Sequence, residues 1–171
     1  MNSIPTVVMT FHVSDGVTAG ALYDWLLFGH ILAAMVWLGG GVVLAAMALA
    51  TLRADDAQAV GRFVGSLRVI GPAVLAPGTV ITLGLGIGLV LDSAAWDFGQ
   101  AWVLVALGLI AVAIAVGAGH QARTALAAER AVDRDDHEEA RRQLVRWAWG
   151  YAVVVALLGV IAWDMVFKPG L

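Results

Sequence analysis

The chain has 171 residues, of which 61% are hydrophobic and only 13% charged, with a formal net charge of -3. Its mean hydropathy of +0.87 excludes a soluble globular domain of this size and points to an integral membrane protein. The absence of cysteine excludes disulfides, thiolate metal sites, iron-sulfur ligation and cysteine nucleophiles.

The first twenty residues carry no Lys or Arg and no long apolar core before Gly16. That is unlike a cleaved secretory signal, so the first span is expected to stay as the membrane anchor. His12 lies in this stretch and reads as solvated or interfacial, or as a distant third ligand on that side. About 20 apolar residues cross a hydrocarbon core of roughly 30 Å. Four such runs follow, near residues 25–50, 69–91, 101–120 and 147–167. They predict a single four-span domain over residues 1–171, an all-α integral membrane four-helix bundle with little room for anything soluble.

Charge sets the expected orientation. Arg53, Arg62 and Arg68 lie between spans one and two, and Arg123, Arg130, Arg134, Arg141, Arg142 and Arg146 lie between spans three and four, whereas residues 92–100 contain no Lys or Arg. The positive-inside rule makes the arginine-bearing loops cytoplasmic and puts both termini outside. Trp25, Trp96, Trp102 and Trp163 then mark the outer interface, and Trp147, Trp149 and Tyr151 the inner one.

The first loop carries Val60, Phe63, Val64 and Leu67 at helical spacing, which suits a segment lying along the membrane surface. Span two holds Pro72, Pro77, Gly78, Gly84, Gly86 and Gly88. Small residues let helices approach closely in lipid, and Thr79 and Thr82 are placed to satisfy carbonyls that proline leaves free. The same residues also suit a hinge or a ligand entrance, as do Gly39, Gly40 and Gly41 in span one. Residues 121–146 balance six arginines against six acids and predict a cytoplasmic helical hairpin turning near residues 133–136, either a solvated connector or a docking surface. His137 reads as solvated there. No sequence repeat relates the two halves.

His30 is the residue that stands out, because an ionisable side chain inside a span is expensive and marks a functional site by default. It lies about 9 Å below the outer boundary counted from Asp24, and Asp164 about 5 Å below the same boundary counted back from Phe167. By depth the two can meet. A carboxylate on one imidazole nitrogen fixes the tautomer and frees the other nitrogen for haem iron, another metal or a proton. Lys168 is one turn beyond Asp164 and can reach that carboxylate or an anionic ligand edge. Trp37 is seven residues past His30 on the same face, where it can line a flat apolar ligand. A purely structural lock between His30 and Asp164 is the competing reading. His120, at the far end of span three about 28 Å from its start, is too deep to share one haem with His30 and also reads as interfacial. No phosphate loop, His-Glu-x-x-His pair or nucleophile elbow is present, and the arginines are matched by acids, so nucleotide hydrolysis and nucleic-acid binding have no support.

His30 to Gly40 with Trp37, Gly39 and Gly40, then Pro77, Gly78, Thr82 and Gly84, then Asp164 to Pro169 together resemble the uncharacterised bacterial membrane family known as domain of unknown function 2269. The resemblance covers essentially the whole chain and implies a multi-pass protein of the bacterial inner membrane. Span one alone is similar to copper-resistance D proteins and to the four-helix membrane protoporphyrinogen oxidase, through a His followed seven residues later by Trp and then Gly. The oxidase resemblance implies haem b held by His30. Its second essential group is a lysine inside the bundle, and here the sole lysine is Lys168 at the end of span four. The copper proteins have twice as many spans and a Met-rich or His-rich entry segment, which this chain lacks.

Three readings follow from the sequence. The first is a haem-b-binding or redox-associated membrane protein with His30 as axial ligand or proton-handling group, Asp164 orienting it, and Trp37 and Lys168 beside the cofactor. The second is a proton or metal transport component worked by His30 and Asp164. The third is a non-enzymatic assembly subunit that uses its small-residue faces on a membrane-protein partner or a second copy of itself. All three place the chain in contact with the lipid bilayer.

Overall fold

The computed structural model describes residues 14–170, and the regular elements there are all helices. His12 lies outside the described residues. Helix α1 runs Ser14–Ala54. It ends in a turn where Asp55 takes the left-handed conformation (φ 50°) and Asp56 caps α2 (Ala57–Ile70), its Oδ1 accepting the Gln58 N–H at 2.9 Å. A π-helical segment, Gly71–Leu75, joins α2 to α3 (Ala76–Asp92). Pro72 and Pro77 begin the π segment and α3, and each removes an N–H from the i to i−4 ladder and crowds the carbonyl four residues back. The widened turn is the local answer.

After residues 93–100, helix α4 (Ala101–Ala115), a second π segment (Val116–Gln121) and α5 (Ala122–Asp133) form another continuous rod. The turn into α6 (His137–Phe167) repeats the first. Asp135 is left-handed (φ 59°), and Asp136 Oδ1 accepts the Glu139 N–H at 3.0 Å. Four rods of 35, 36, 33 and 31 residues are thus long and apolar enough to cross a membrane. At about 1.5 Å per residue, each overruns a hydrocarbon core of roughly 30 Å.

The helices are arranged differently at the two ends of the molecule. At the arginine-bearing end, α1, α2, α5 and α6 close into a bundle whose core is Leu44, Ala48, Phe63, Leu67, Ala128, Ala131, Leu144, Trp147 and Tyr151 among others. Trp147 and Tyr151 stack at 4.7 Å, and Phe63 meets Trp147 edge-on at 5.8 Å. At the tryptophan-bearing end, α3 packs on α1, α1 on α6, and α6 on α4. Here α3 and α4 make no comparable contact with each other, so the rods form an open arc.

The first loop differs from expectation. Val60, Phe63, Val64 and Leu67 are buried against α1, α5 and α6, not spread on the membrane surface. An apolar stripe at i, i+3, i+4 and i+7 is the same whether it meets lipid or protein. The tight Asp55–Asp56 turn decides the case by folding α2 straight back onto α1. The hairpin turn is expected to depend on its cap in the same way. Asp136→Ala should lower stability by about 1 kcal/mol, read as an earlier unfolding transition of the detergent-solubilised protein by circular dichroism.

Candidate functional site

One buried stripe of α1 carries His30, Trp37, Leu44 and Ala48, spaced by seven, seven and four residues as a helix facing a bundle requires. His30 is 7% exposed and its Nδ1 lies 2.9 Å from the carbonyl oxygen of Thr82 on α3. A carbonyl only accepts, so Nδ1 carries the proton and donates it. In the neutral ring this leaves Nε2 with a bare lone pair, and Nε2 has no hydrogen-bond partner among the described residues.

Gly86 makes this contact possible. A Cβ at that position would lie 3.0 Å from His30 Cε1 and 3.3 Å from Nδ1, so the imidazole occupies the space a side chain would take. The Thr82 carbonyl sits one helical turn before Gly86, and the missing side chain leaves it open to a second donor. Sequence reasoning weighed Gly86 only as one of several small residues. The signal it missed is a glycine four residues after a carbonyl opposite an intramembrane histidine. Of the two threonines expected to satisfy carbonyls, Thr79 does so, donating to Leu75 at 2.9 Å. Thr82 Oγ1 is buried without a partner among the described residues.

Asp164 is 1% exposed, and among the described residues neither of its carboxyl oxygens has a hydrogen-bond partner. It ends the buried stripe of α6 that includes Tyr151, Val154, Leu158 and Ile161. The antiparallel register of α1 and α6 follows from Gly41, which approaches Tyr151 and Val155, and from Trp37, which packs with Val154, Leu158 and Ile161. Counted outward from these contacts, His30 and Asp164 lie a similar number of residues along α1 and α6. Among the described residues no direct bond joins them, and the imidazole N–H goes to the Thr82 carbonyl instead.

Lys168 departs from expectation as well. It caps α6 in the left-handed conformation (φ 42°) and donates its backbone N–H to the Asp164 carbonyl at 2.8 Å. Its ammonium does not reach the carboxyl oxygens. Nζ lies 4.0 Å from the centre of the Trp96 ring and 5.6 Å from that of Trp102, a cation held over aromatic faces. Trp96 and Trp102 meet edge-on at 5.4 Å, and Trp96 Nε1 donates to the Tyr23 hydroxyl at 3.3 Å. Residues from α1, the 93–100 link, α4 and α6 thus form a lid over this end of the bundle.

His120 uses the same device as His30 at the other end. Its Nε2 lies 3.1 Å from the Arg146 carbonyl of α6, and a Cβ on Gly150, four residues later, would collide with its ring. Among the described residues no three His, Asp or Glu side chains cluster as a metal cage. Among the described residues His30 alone offers a free imidazole nitrogen in the buried stripe of a span.

A cleft of about 600 Å³ separates spans two and three, bordered by both π segments and reaching up to Trp37, Thr79 and Val80. The buried Gln121 lines it, with both ends of its amide unbonded. An unmade hydrogen bond of this kind costs about 1–3 kcal/mol. Neither His30 nor Asp164 borders the cleft.

The model of one protein family, described as a predicted integral membrane protein (DUF2269), matches residues 24–169. The chain belongs to the DUF2269 family. The match takes in all four rods of this DUF2269 protein and includes His30, Thr82, Gly86, Gln121, Asp164 and Lys168. No curated protein and no solved structure matches the chain.

The role of Gly86 is testable against its neighbour. Gly86→Val should drive the imidazole off Thr82 and destabilise the DUF2269 protein by about 1–3 kcal/mol, as overpacking does. Gly84→Ala, where an added Cβ meets nothing within 4 Å, should leave stability unchanged or slightly raised. Thermal unfolding of both variants in the same detergent makes the comparison.

Proposed function

We propose that the tryptophan-bearing end of the bundle is a proton- or cation-handling site, with His30 Nε2 as the atom that binds and Asp164 as the carboxyl that balances the charge. The reading rests on one observation. A tautomer-fixed imidazole with a bare nitrogen and a buried carboxyl whose two oxygens have no partner among the described residues lie toward the same end of the antiparallel α1 and α6. An unpaired carboxylate in hydrocarbon costs several kcal/mol, so the group is either protonated or holds a cation. A proton or metal ion arriving at Nε2 keeps the Nδ1–H bond to Thr82 intact and supplies the positive charge that Asp164 lacks. With the arginine-bearing end cytoplasmic by the positive-inside rule, the site faces the outer side, beneath the Lys168, Trp96 and Trp102 lid.

The second reading is haem b on the same nitrogen. It is favoured by the Nδ1–H bond to a backbone carbonyl, the arrangement that orients metal-ligating histidines. Bound there, haem would supply one-electron chemistry. The cleft counts against it, because its wall reaches Trp37, two helical turns or about 10 Å from His30, and so does not seat a macrocycle on Nε2.

Reconstitution into liposomes with an enclosed pH or metal indicator separates the readings. Under an imposed proton or divalent-metal gradient, wild-type vesicles should take up the ion, and His30→Ala and Asp164→Leu should lose at least tenfold in rate. Asp164→Leu should at the same time be more stable by about 1–3 kcal/mol, since it removes a buried group that has no partner. A Soret band in the purified protein that His30→Ala abolishes would establish haem instead. Unchanged uptake in both variants would remove His30 and Asp164 from any ion-handling role.

A further inference from the structure

The cleft between spans two and three has a chemistry of its own, independent of the His30 reading. We propose that it binds a neutral prenylated quinol from the bilayer, a flat aromatic head with two hydroxyls on a long apolar tail. Its volume of about 600 Å³ falls within the range of small-molecule sites. Because α3 and α4 do not pack together as their neighbours do while α2 and α5 do, the cleft opens sideways toward lipid and is closed at the arginine-bearing end. A tail can leave through the side, and the head stays in the cleft.

Gln121, midway along the wall between Ala113 and Glu129, selects the head. Gln121 is 6% exposed and both its Nε2 and Oε1 are unbonded among the described residues, so its amide holds donors and an acceptor for a group that can do both. Its Nε2 packs against Gly150, so a ligand would engage the amide only by drawing the side chain toward the cleft that it borders. Tyr151 also lines the cleft, with its hydroxyl packed beside Gly41 of α1. Trp37, Trp147 and Tyr151 supply aromatic surface, suited to a flat ring.

Charge excludes the obvious competitor. Arg68 and Glu129 are the charged residues of the lining, and they pair at 2.7 Å. The wall is therefore neutral overall, and a phosphate head drawn to Arg68 would also meet the Glu129 carboxylate. Depth agrees with a lipid-phase ligand. Gln121 lies about 30 Å along the rod from the start of α4, at the membrane boundary, with the apolar walls extending back into the hydrocarbon. Both π segments border the cleft, through Gly71, Pro72 and Leu75 on one side and Gly117, Ala118 and Gln121 on the other. Such turns frequently accompany binding sites.

The test is a titration of the detergent-purified full chain with decylubiquinol under argon, followed by quenching of tryptophan fluorescence and by thermal shift. Gly117→Leu fills the cleft at a position where an added Cβ meets nothing within 4 Å. Gln121→Leu removes the amide. Wild type should bind saturably, and each variant at least tenfold more weakly, while both melt without ligand at or above the wild-type temperature. Decylubiquinone, which only accepts hydrogen bonds, should bind several-fold more weakly than the quinol. His30→Ala should bind as wild type does, which keeps this site separate from the one at the other end. Equal binding in wild type and both cleft variants overturns the proposal, and so does the absence of saturable quinol binding. Displacement of the quinol by phosphatidylglycerol at comparable concentration would reassign the cleft to a phospholipid and also overturn it.

Discussion

Hydrocarbon offers no hydrogen bonds, and that single constraint decides which polar groups this chain can carry and where. Backbone groups are satisfied by running the chain as four near-continuous rods, and the two places where the ladder widens lie in the proline-bearing and glycine-rich stretches. The side chains that break the rule are few. Thr82 Oγ1, Gln121 and Asp164 are buried with unmade bonds, and His30 has half its capacity used. Natural proteins tolerate such costs mainly where the unmade bond is reserved for something else. Apart from the shared Thr82 neighbourhood of His30, the unsatisfied groups fall at two places, one at each end of the bundle.

Histidine, carbonyl and glycine recur as a unit. His30 donates to the carbonyl of Thr82 with Gly86 four residues on, and His120 to that of Arg146 with Gly150 four residues on. In each case the first helix of a hairpin supplies the ring and the second supplies the carbonyl and the gap. The helix already uses its carbonyl for the N–H one turn ahead, so the extra donor needs an uncovered approach, which only glycine at that turn provides. The paired Asp55–Asp56 and Asp135–Asp136 turns have the same economy, one residue bending the chain and the next capping the new helix. These correspondences join the two hairpins at the level of local geometry, although no sequence repeat announces them.

The span count and the all-helical class were legible because they depend on length and hydropathy alone, quantities that each segment carries by itself, whereas three of the rods run about three turns past the apolar stretches at the arginine-bearing end. That His30 and Asp164 lie toward the same end of the bundle was legible for the same reason, since it is a count of residues along antiparallel helices. That the imidazole N–H goes elsewhere was not, because such a count says nothing about rotation about the helix axis or about which neighbour reaches a donor first. Thr82 won that competition through Gly86, a residue whose contribution is the absence of atoms. Lys168 shows the same limit. One turn from Asp164 in sequence, it is drawn instead to aromatic faces brought in by α4 and the 93–100 link. The first loop was misread because its apolar stripe is indifferent to what covers it.

The overrun of the rods beyond the bilayer means that one continuous set of helices is held together by two different forces. Around Phe63, Leu144 and Trp147 the bundle faces an aqueous phase, and its cohesion comes from water's exclusion of apolar surface, with the temperature dependence that implies. Around Trp37, Ile110 and Leu158 the surroundings are as apolar as the core, and cohesion there comes from close fit, small residues and a few directed bonds. The chain is in effect a soluble bundle fused end-on to a membrane one without a linker. A twist or splay imposed by lipid at one end is transmitted to the other through the helices themselves, and the widened turns at Gly71–Leu75 and Val116–Gln121 sit where two of these rods pass from one regime into the other.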